Sequence, residues 1–139
     1  MTVALLDTDV VISLMRRHAG ALEQARAHLG GGGQLAFSVI TQYEVLRGFR
    51  QGAYERQRER FEAFCACSRI LPIDEAVAVF AARQHRELQE AGSLIADADL
   101  LIAATAVTHD CTLVTGNVRH FERLPGVRLA NWLAEQPDL

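Results

Sequence analysis

The chain has 139 residues, half of them hydrophobic, which suits one compact domain (1–139) with its own core. Its net charge of −3 argues against a protein held to nucleic acid by bulk positive charge, though not against a local basic patch. All 14 basic residues are Arg, so any mechanism that needs a Lys is excluded.

Val3 to Leu6 is a short apolar run without alternation, as expected of a strand buried on both faces of a parallel sheet. It ends in Asp7-Thr8-Asp9, after which Val10, Val11, Leu14 and Met15 keep helical spacing with Asp9 as N-cap. A strand, acidic turn and helix in that order mark the place where open α/β sheets bind ligands. Ala19 to Leu29 reads as a second helix closed by four glycines. Those glycines carry no GK[ST] ending and follow a helix, so they read as a connection and not a phosphate loop. Leu35 to Phe37 is a second strand, and Ser38 caps a helix over Val39 to Arg50. On that helix Val39, Tyr43, Leu46 and Arg50 fall near one stripe, while Thr41 and Glu44 share a neighbouring face.

Gly52 breaks the pattern. Tyr54 to Cys65 forms a charged helix whose Arg and Glu residues suit a solvated face. Arg69 to Ile73 is a third strand, and Asp74 caps a long helix through Ala91, stopped by Gly92. Leu94 to Val107 is apolar almost all round, the mark of a buried helix. Cys111 to Thr115 is a fourth strand with the turn Gly116-Asn117 behind it; Val127 to Leu129 is a weak fifth, and Trp132 packs on the body. Cys65, Cys67 and Cys111 are odd in number and lack zinc-site spacing; they read as reduced, buried thiols of a cytoplasmic protein. No basic-then-apolar N-terminal signal is present, and no apolar run reaches the ~18 residues of a membrane span, so a soluble protein is expected. Strands separated by helices give a three-layer α/β/α sandwich around a mostly parallel sheet of about five strands.

Three segments offer acids at comparable places. Asp7 ends the first strand, Glu44 sits early in the helix after the second, and Asp97 and Asp99 open the buried helix before the fourth. An ionised carboxylate inside a protein needs a positive partner. Arg83, Arg86 and His109 lie outside the buried segment, so its acids are met by a distant Arg, by the helix N-terminus or by a metal ion. If the second and fourth strands flank the first, the three sets converge at one edge of the sheet. Like charges there repel and raise one another's pKa, a liability that a divalent ion such as Mg²⁺ turns into a site. Such an ion activates water and steadies the leaving oxygen of a phosphodiester. Asp9 and Asp97 are also readable as helix caps, and His109 and His120 as isolated surface or structural residues.

These residues carry a pattern that resembles the PIN-domain ribonucleases, and among them the VapC toxins of bacterial toxin–antitoxin pairs. LLDTDVVISL is similar to the family's opening, SVITQYEVLRG to its second motif, IADADLLIAATAV to its third, and TLVTGNVRHF with LPGVRLANW to its fourth and its ending. The resemblance implies a PIN-like fold and catalytic, metal-holding acids at Asp7, Glu44 and Asp99. It implies supporting roles for Thr8, Asp9, Thr115 and Asn117. The fourth motif often carries an acid; here it has Asn117 and His120, and Asp97 is a candidate replacement. The family's activity would be a Mg²⁺- or Mn²⁺-dependent endoribonuclease acting on tRNA or rRNA loops, inhibited by a VapB-type antitoxin, forming homodimers and toxin–antitoxin hetero-oligomers. Arg47, Arg50 and Arg119 are the candidate RNA phosphate contacts. Two alternatives stay open. Asp7-Thr8-Asp9-Val10-Val11 also resembles the opening of haloacid-dehalogenase-type phosphatases, with Asp7 as nucleophile, although that family's Lys is missing. A PIN-like module without activity, acting only by binding, is the other.

Overall fold

A computed structural model describes residues 2–134. Five strands form one all-parallel sheet: β1 (Val3–Leu6), β2 (Gln34–Ser38), β3 (Arg69–Leu71), β4 (Thr112–Val114) and β5 (Arg128–Ala130), in the order β3-β2-β1-β4-β5. Among the described residues seven helices connect and cover them: α1 (Thr8–Met15), α2 (Ala19–Gly30), α3 (Val39–Arg47), α4 (Tyr54–Ala66), α5 (Glu75–Glu90), α6 (Asp97–Thr108) and α7 (Val118–Phe121). The N-terminal strand is central, flanked by β2 and β4 as the convergence of the acids requires.

The pleat sends alternate side chains to opposite faces, and both faces are covered. Leu5, Ala36 and Leu113 meet α5 and α6 through Val77, Ala81, Leu88 and Ile102. Their neighbours Ala4, Leu6, Leu35, Phe37 and Val114 meet Val10, Leu14, Ala25, Val45 and Phe61 on the other side. The three layers are therefore helix, sheet and helix. Trp132 packs into the second cluster, as expected. No helix among the described residues is long and apolar enough to cross a membrane.

Several boundaries differ from the sequence reading. Asp7, not Asp9, is the N-cap of α1; its Oδ1 accepts from the Thr8 amide at 2.8 Å. The buried helix starts at Asp97, so Leu94 stands outside it and is exposed. Its cap is Ala96, which has no side-chain acceptor to offer. Helix α3 stops at Arg47, and its buried face runs through Thr41 and Val45, leaving Tyr43 60% exposed. Strand β3 ends at Leu71, two residues short of Ile73. The one-turn helix α7 was not expected; four residues are too few to show a helical period. Cys111 is buried and Cys65 half-buried, but Cys67 is exposed; all three are free thiols.

Ser38 does cap α3, with its fully buried Oγ accepting from the Thr41 amide. Ser38→Ala removes that acceptor, and a loss of about 0.5–2 kcal/mol is expected in urea unfolding. The same replacement loosens the first turn of the helix that carries Glu44.

Candidate active site

Asp7 stands at the carboxyl end of the central strand. Its backbone amide continues the ladder to Val114 O at 2.9 Å, so its side chain is fixed at the rim of the sheet. That side chain is 7% exposed, and both oxygens accept hydrogen bonds, Oδ1 from the Thr8 amide and Oδ2 from the Thr115 hydroxyl at 2.8 Å. Burial pushes its pKa up to about 6, with Asp9 and then Asp99 adding their repulsion; the two hydrogen bonds offset this only in part.

Asp9 lies in the first turn of α1, where its Oδ2 accepts from the Gly116 amide at 2.9 Å. Its pKa is also raised, mainly by burial, with repulsion from Asp99 adding to it. Its Oδ1 is buried without any hydrogen-bond partner. Gly116 has to be glycine for this approach, because a Cβ there would lie 2.8 Å from Asp9 Oδ2. Asp9, read from the sequence as a cap with a supporting role, is not the cap but stands in the acidic cluster.

Asp99, in the first turn of α6, is close enough to raise the pKa of both Asp7 and Asp9. Its Oδ2 lies 3.1 Å from Nε2 of His120 on α7. The positive end of α6 favours a carboxylate there as well. The partner to the charge on the buried helix is therefore an imidazole from the fourth motif, read from the sequence as isolated. His120 stands five residues beyond Thr115 on the turn after β4, at the same edge of the sheet. That position was the available signal.

Glu44 joins from α3 through Thr8, whose hydroxyl lies 2.8 Å from Glu44 Oε1 and 3.1 Å from Thr41 Oγ1. Arg47 sits 3.6 Å from the other Glu44 oxygen and 5.1 Å over the Tyr43 ring. Thr8, Thr41 and Thr115 thus line the carboxylates. Asn117 contributes its backbone amide, which donates to Thr115 Oγ1 at 3.0 Å. Asp97 is elsewhere: it is exposed and lines a groove against α5 with His85, Ala81 and Leu101, and it does not figure among the charges acting on Asp7 or Asp9. Asp9, not Asp97, is the further acid that stands near Asp7 and Asp99. Arg50 is exposed in the loop after α3, and Arg119 is exposed on α7.

Among the described residues neither Asp7 nor Asp9 has a cationic partner. No three His, Cys, Asp or Glu side chains there form a ready-made metal cage. An orphaned buried oxygen on Asp9 and a buried Asp7 carboxylate repelled by Asp9 and Asp99 nonetheless fit a hard divalent ion. Mg²⁺ and Mn²⁺ prefer oxygen donors, and Mg²⁺ keeps several waters, so one or two protein carboxylates suffice. A groove of about 130 Å³ between α1, α3 and α4 reaches this rim, lined by Ile12, Met15, Arg16, Glu44, Phe49 and Arg60.

The comparisons with known proteins follow the same outline. The family model described as PIN domain matches residues 4–127. Ribonuclease VapC1 of Methanocaldococcus jannaschii is 37% identical over 120 residues, 86% of this chain and 79% of that protein. Ribonuclease VapC19 of Mycobacterium tuberculosis is 31% identical over 124 residues, covering 89% and 96%. The crystal structure of DNA-bound VapBC from Salmonella typhimurium superposes with a TM-score of 0.86 at 28% identity, covering 95% of this chain and 99% of that one. With four motifs in order, the sheet they build and this match over most of its length, the chain belongs to the PIN-domain family, among the VapC ribonucleases.

Proposed function

We propose that the chain is a Mg²⁺- or Mn²⁺-dependent endoribonuclease toxin, kept inactive by a VapB-type antitoxin in the cytoplasm. One observation carries the reading: buried Asp7 and half-buried Asp9, with Asp99 beside them and Glu44 tied in through Thr8, share one rim with an unpartnered, buried Asp9 oxygen. Asp7, Asp99 and Glu44, with Asp9, would hold the ion. When bound, it supplies the positive charge that lowers the pKa of water and stabilises the anion formed at phosphorus. The chain's part is orientation. Thr115 and the Thr8 amide hold Asp7, Gly116 holds Asp9, and the Thr8 hydroxyl holds Glu44.

Arg47, Arg50 and Arg119 are exposed and would meet RNA phosphates, Arg47 from its place beside Glu44, which supplies salt-dependent affinity with little sequence choice. Unstacked loops of tRNA or rRNA suit such a rim, because their bases are open to reading. The structural relatives named as VapBC complexes support an antitoxin partner for this chain. An amphipathic antitoxin segment would lay its apolar side on Ile12, Met15 and Phe49 and reach Glu44. Homodimers and toxin–antitoxin hetero-oligomers belong to the same proposal. Membership of the PIN family decides against the phosphatase reading of Asp7-Thr8-Asp9.

The test is cleavage of a total tRNA and rRNA pool by protein stripped with EDTA. Cleavage is expected to be absent without metal, restored by Mg²⁺ or Mn²⁺, and blocked by the antitoxin. Cleavage that persists undiminished in EDTA contradicts the proposal. RNA left intact at every metal concentration supports the inactive binding module instead.

A further inference from the structure

The turn and short helix after β4, from Thr115 to Phe121, carry no acid. They nevertheless deliver one donor to each of three aspartates. The Thr115 hydroxyl donates to Asp7 Oδ2 at 2.8 Å, the Gly116 amide to Asp9 Oδ2 at 2.9 Å, and His120 Nε2 lies 3.1 Å from Asp99 Oδ2. The Asn117 amide donates to Thr115 Oγ1, which leaves the Thr115 hydroxyl hydrogen free to point at Asp7. The first two donors are short and local to the strand end. The third needs a separate anchor, and Phe121 provides it: the ring is fully buried and meets the His120 ring edge-on at 5.3 Å and 83°. His120 is thereby placed by its neighbour's burial. Neither its side chain nor that of Asp99 has another hydrogen-bond partner among the described residues.

A carboxylate that grips an ion through one oxygen is most effective when the other is held by a donor, because the grip then needs no reordering of the side chain. We propose that His120 is a positioning residue for Asp99: its Nε2–H holds Oδ2, which would leave Oδ1 available to a divalent ion. The inference rests on the metal-dependent reading above. It assigns the segment a single task. A further acid would add charge to a rim where Asp7, Asp9 and Asp99 already repel one another. A neutral donor orders the rim without that addition.

Mn²⁺ binding to EDTA-stripped protein, followed by the electron paramagnetic resonance of free Mn²⁺, tests this without reference to turnover. His120→Ala is expected to weaken Mn²⁺ affinity by about 10–100-fold, the usual effect of losing a partner that orients a metal ligand. His120→Gln, whose amide keeps a donor, is expected to recover a large part of it. In RNA cleavage at fixed subsaturating Mn²⁺, kcat falls in His120→Ala while KM for RNA stays as in the parent. Thermal melting of each variant shows that the fold is intact, and His120 is exposed enough for this to be expected. His120→Ala protein that binds Mn²⁺ as the parent does overturns the inference, as does a change confined to KM for RNA. Asp99→Asn is the control that keeps the two readings apart. Unchanged Mn²⁺ affinity in Asp99→Asn sinks the metal site itself, whereas affinity lost in Asp99→Asn and kept in His120→Ala sinks only the role given to His120.

Discussion

Asp7→Asn is expected to yield a protein that is more stable without metal and inactive with it. Burial is the chief reason that the Asp7 pKa rises from 3.8 to about 6. An acid whose folded pKa exceeds its unfolded value takes up a proton on folding between the two. The metal-free folded state therefore loses stability as pH rises from about 4 to about 6, and the full penalty is present at pH 7. At ~1.4 kcal/mol per pKa unit, it amounts to about 3 kcal/mol. Asn carries no charge and removes that penalty. It can still accept from the Thr8 amide, and the Thr115 hydroxyl can rotate to accept from the new amide. Urea unfolding in EDTA is thus expected to show the variant ahead by about 2–3 kcal/mol at pH 7, with the gap closed at pH 3.5. RNA cleavage in Mn²⁺ is expected to fall by at least about a hundredfold, since even partners that only orient ligands cost up to that much. Equal unfolding midpoints at pH 7 would show that the carboxylate carries no burial cost in the folded chain. Activity near the parent's would remove Asp7 from the reaction.

Phe37→Ala is expected to cost about 3–5 kcal/mol, the usual range for emptying a core aromatic site. Phe37 is fully buried on β2, with the Phe61 ring at 5.8 Å and the Phe64 ring at 5.9 Å. Those two contacts help seat α4 on the sheet, beside its packing on β3. Domains of this size hold only about 5–15 kcal/mol in all, so the variant should melt well below the parent. The next residue, Ser38, caps the helix that bears Glu44, so the damage also reaches the rim. Tyr43→Ala is the matched control. With Tyr43 60% exposed, its change should stay within about 0.5 kcal/mol. A Phe37→Ala midpoint close to the parent's would mean that α4 is seated by other contacts.

The sheet was legible because its strands are short apolar runs with turn residues at their ends, and because a parallel sheet leaves no polar face to confuse the pattern. Asp7, Glu44 and Asp99 stand out by position, each at or just beyond the end of an apolar element. The cap role given to Asp9 and the isolation given to His120 were wrong for one physical reason, although Asp9 was placed among the supporting residues of the site. Each is defined by a partner far away in the chain: Gly116 for Asp9, 107 residues on, and Asp99 for His120, 21 residues back. Local rules assign an Asp before a helix to capping, and here Asp7 had already taken that place. Asp97 misled in the opposite sense. It shares a segment with Asp99, but two residues along a helix turn a side chain to a different face, and Asp97 ends beside α5. The start of the buried helix was set too early because Leu94 and Ile95 extend its apolar run without its backbone.

The central strand and its neighbour β4 lie far apart in the chain. β4 pairs with β1 across more than a hundred residues, and Thr115, Gly116 and His120 follow β4 directly. A growing chain can therefore join β1 to β2 early, yet has no means of organising its aspartates until β4 and the turn behind it are present. The rim is thus ordered only once that long-range pairing has formed, and local structure alone cannot order it.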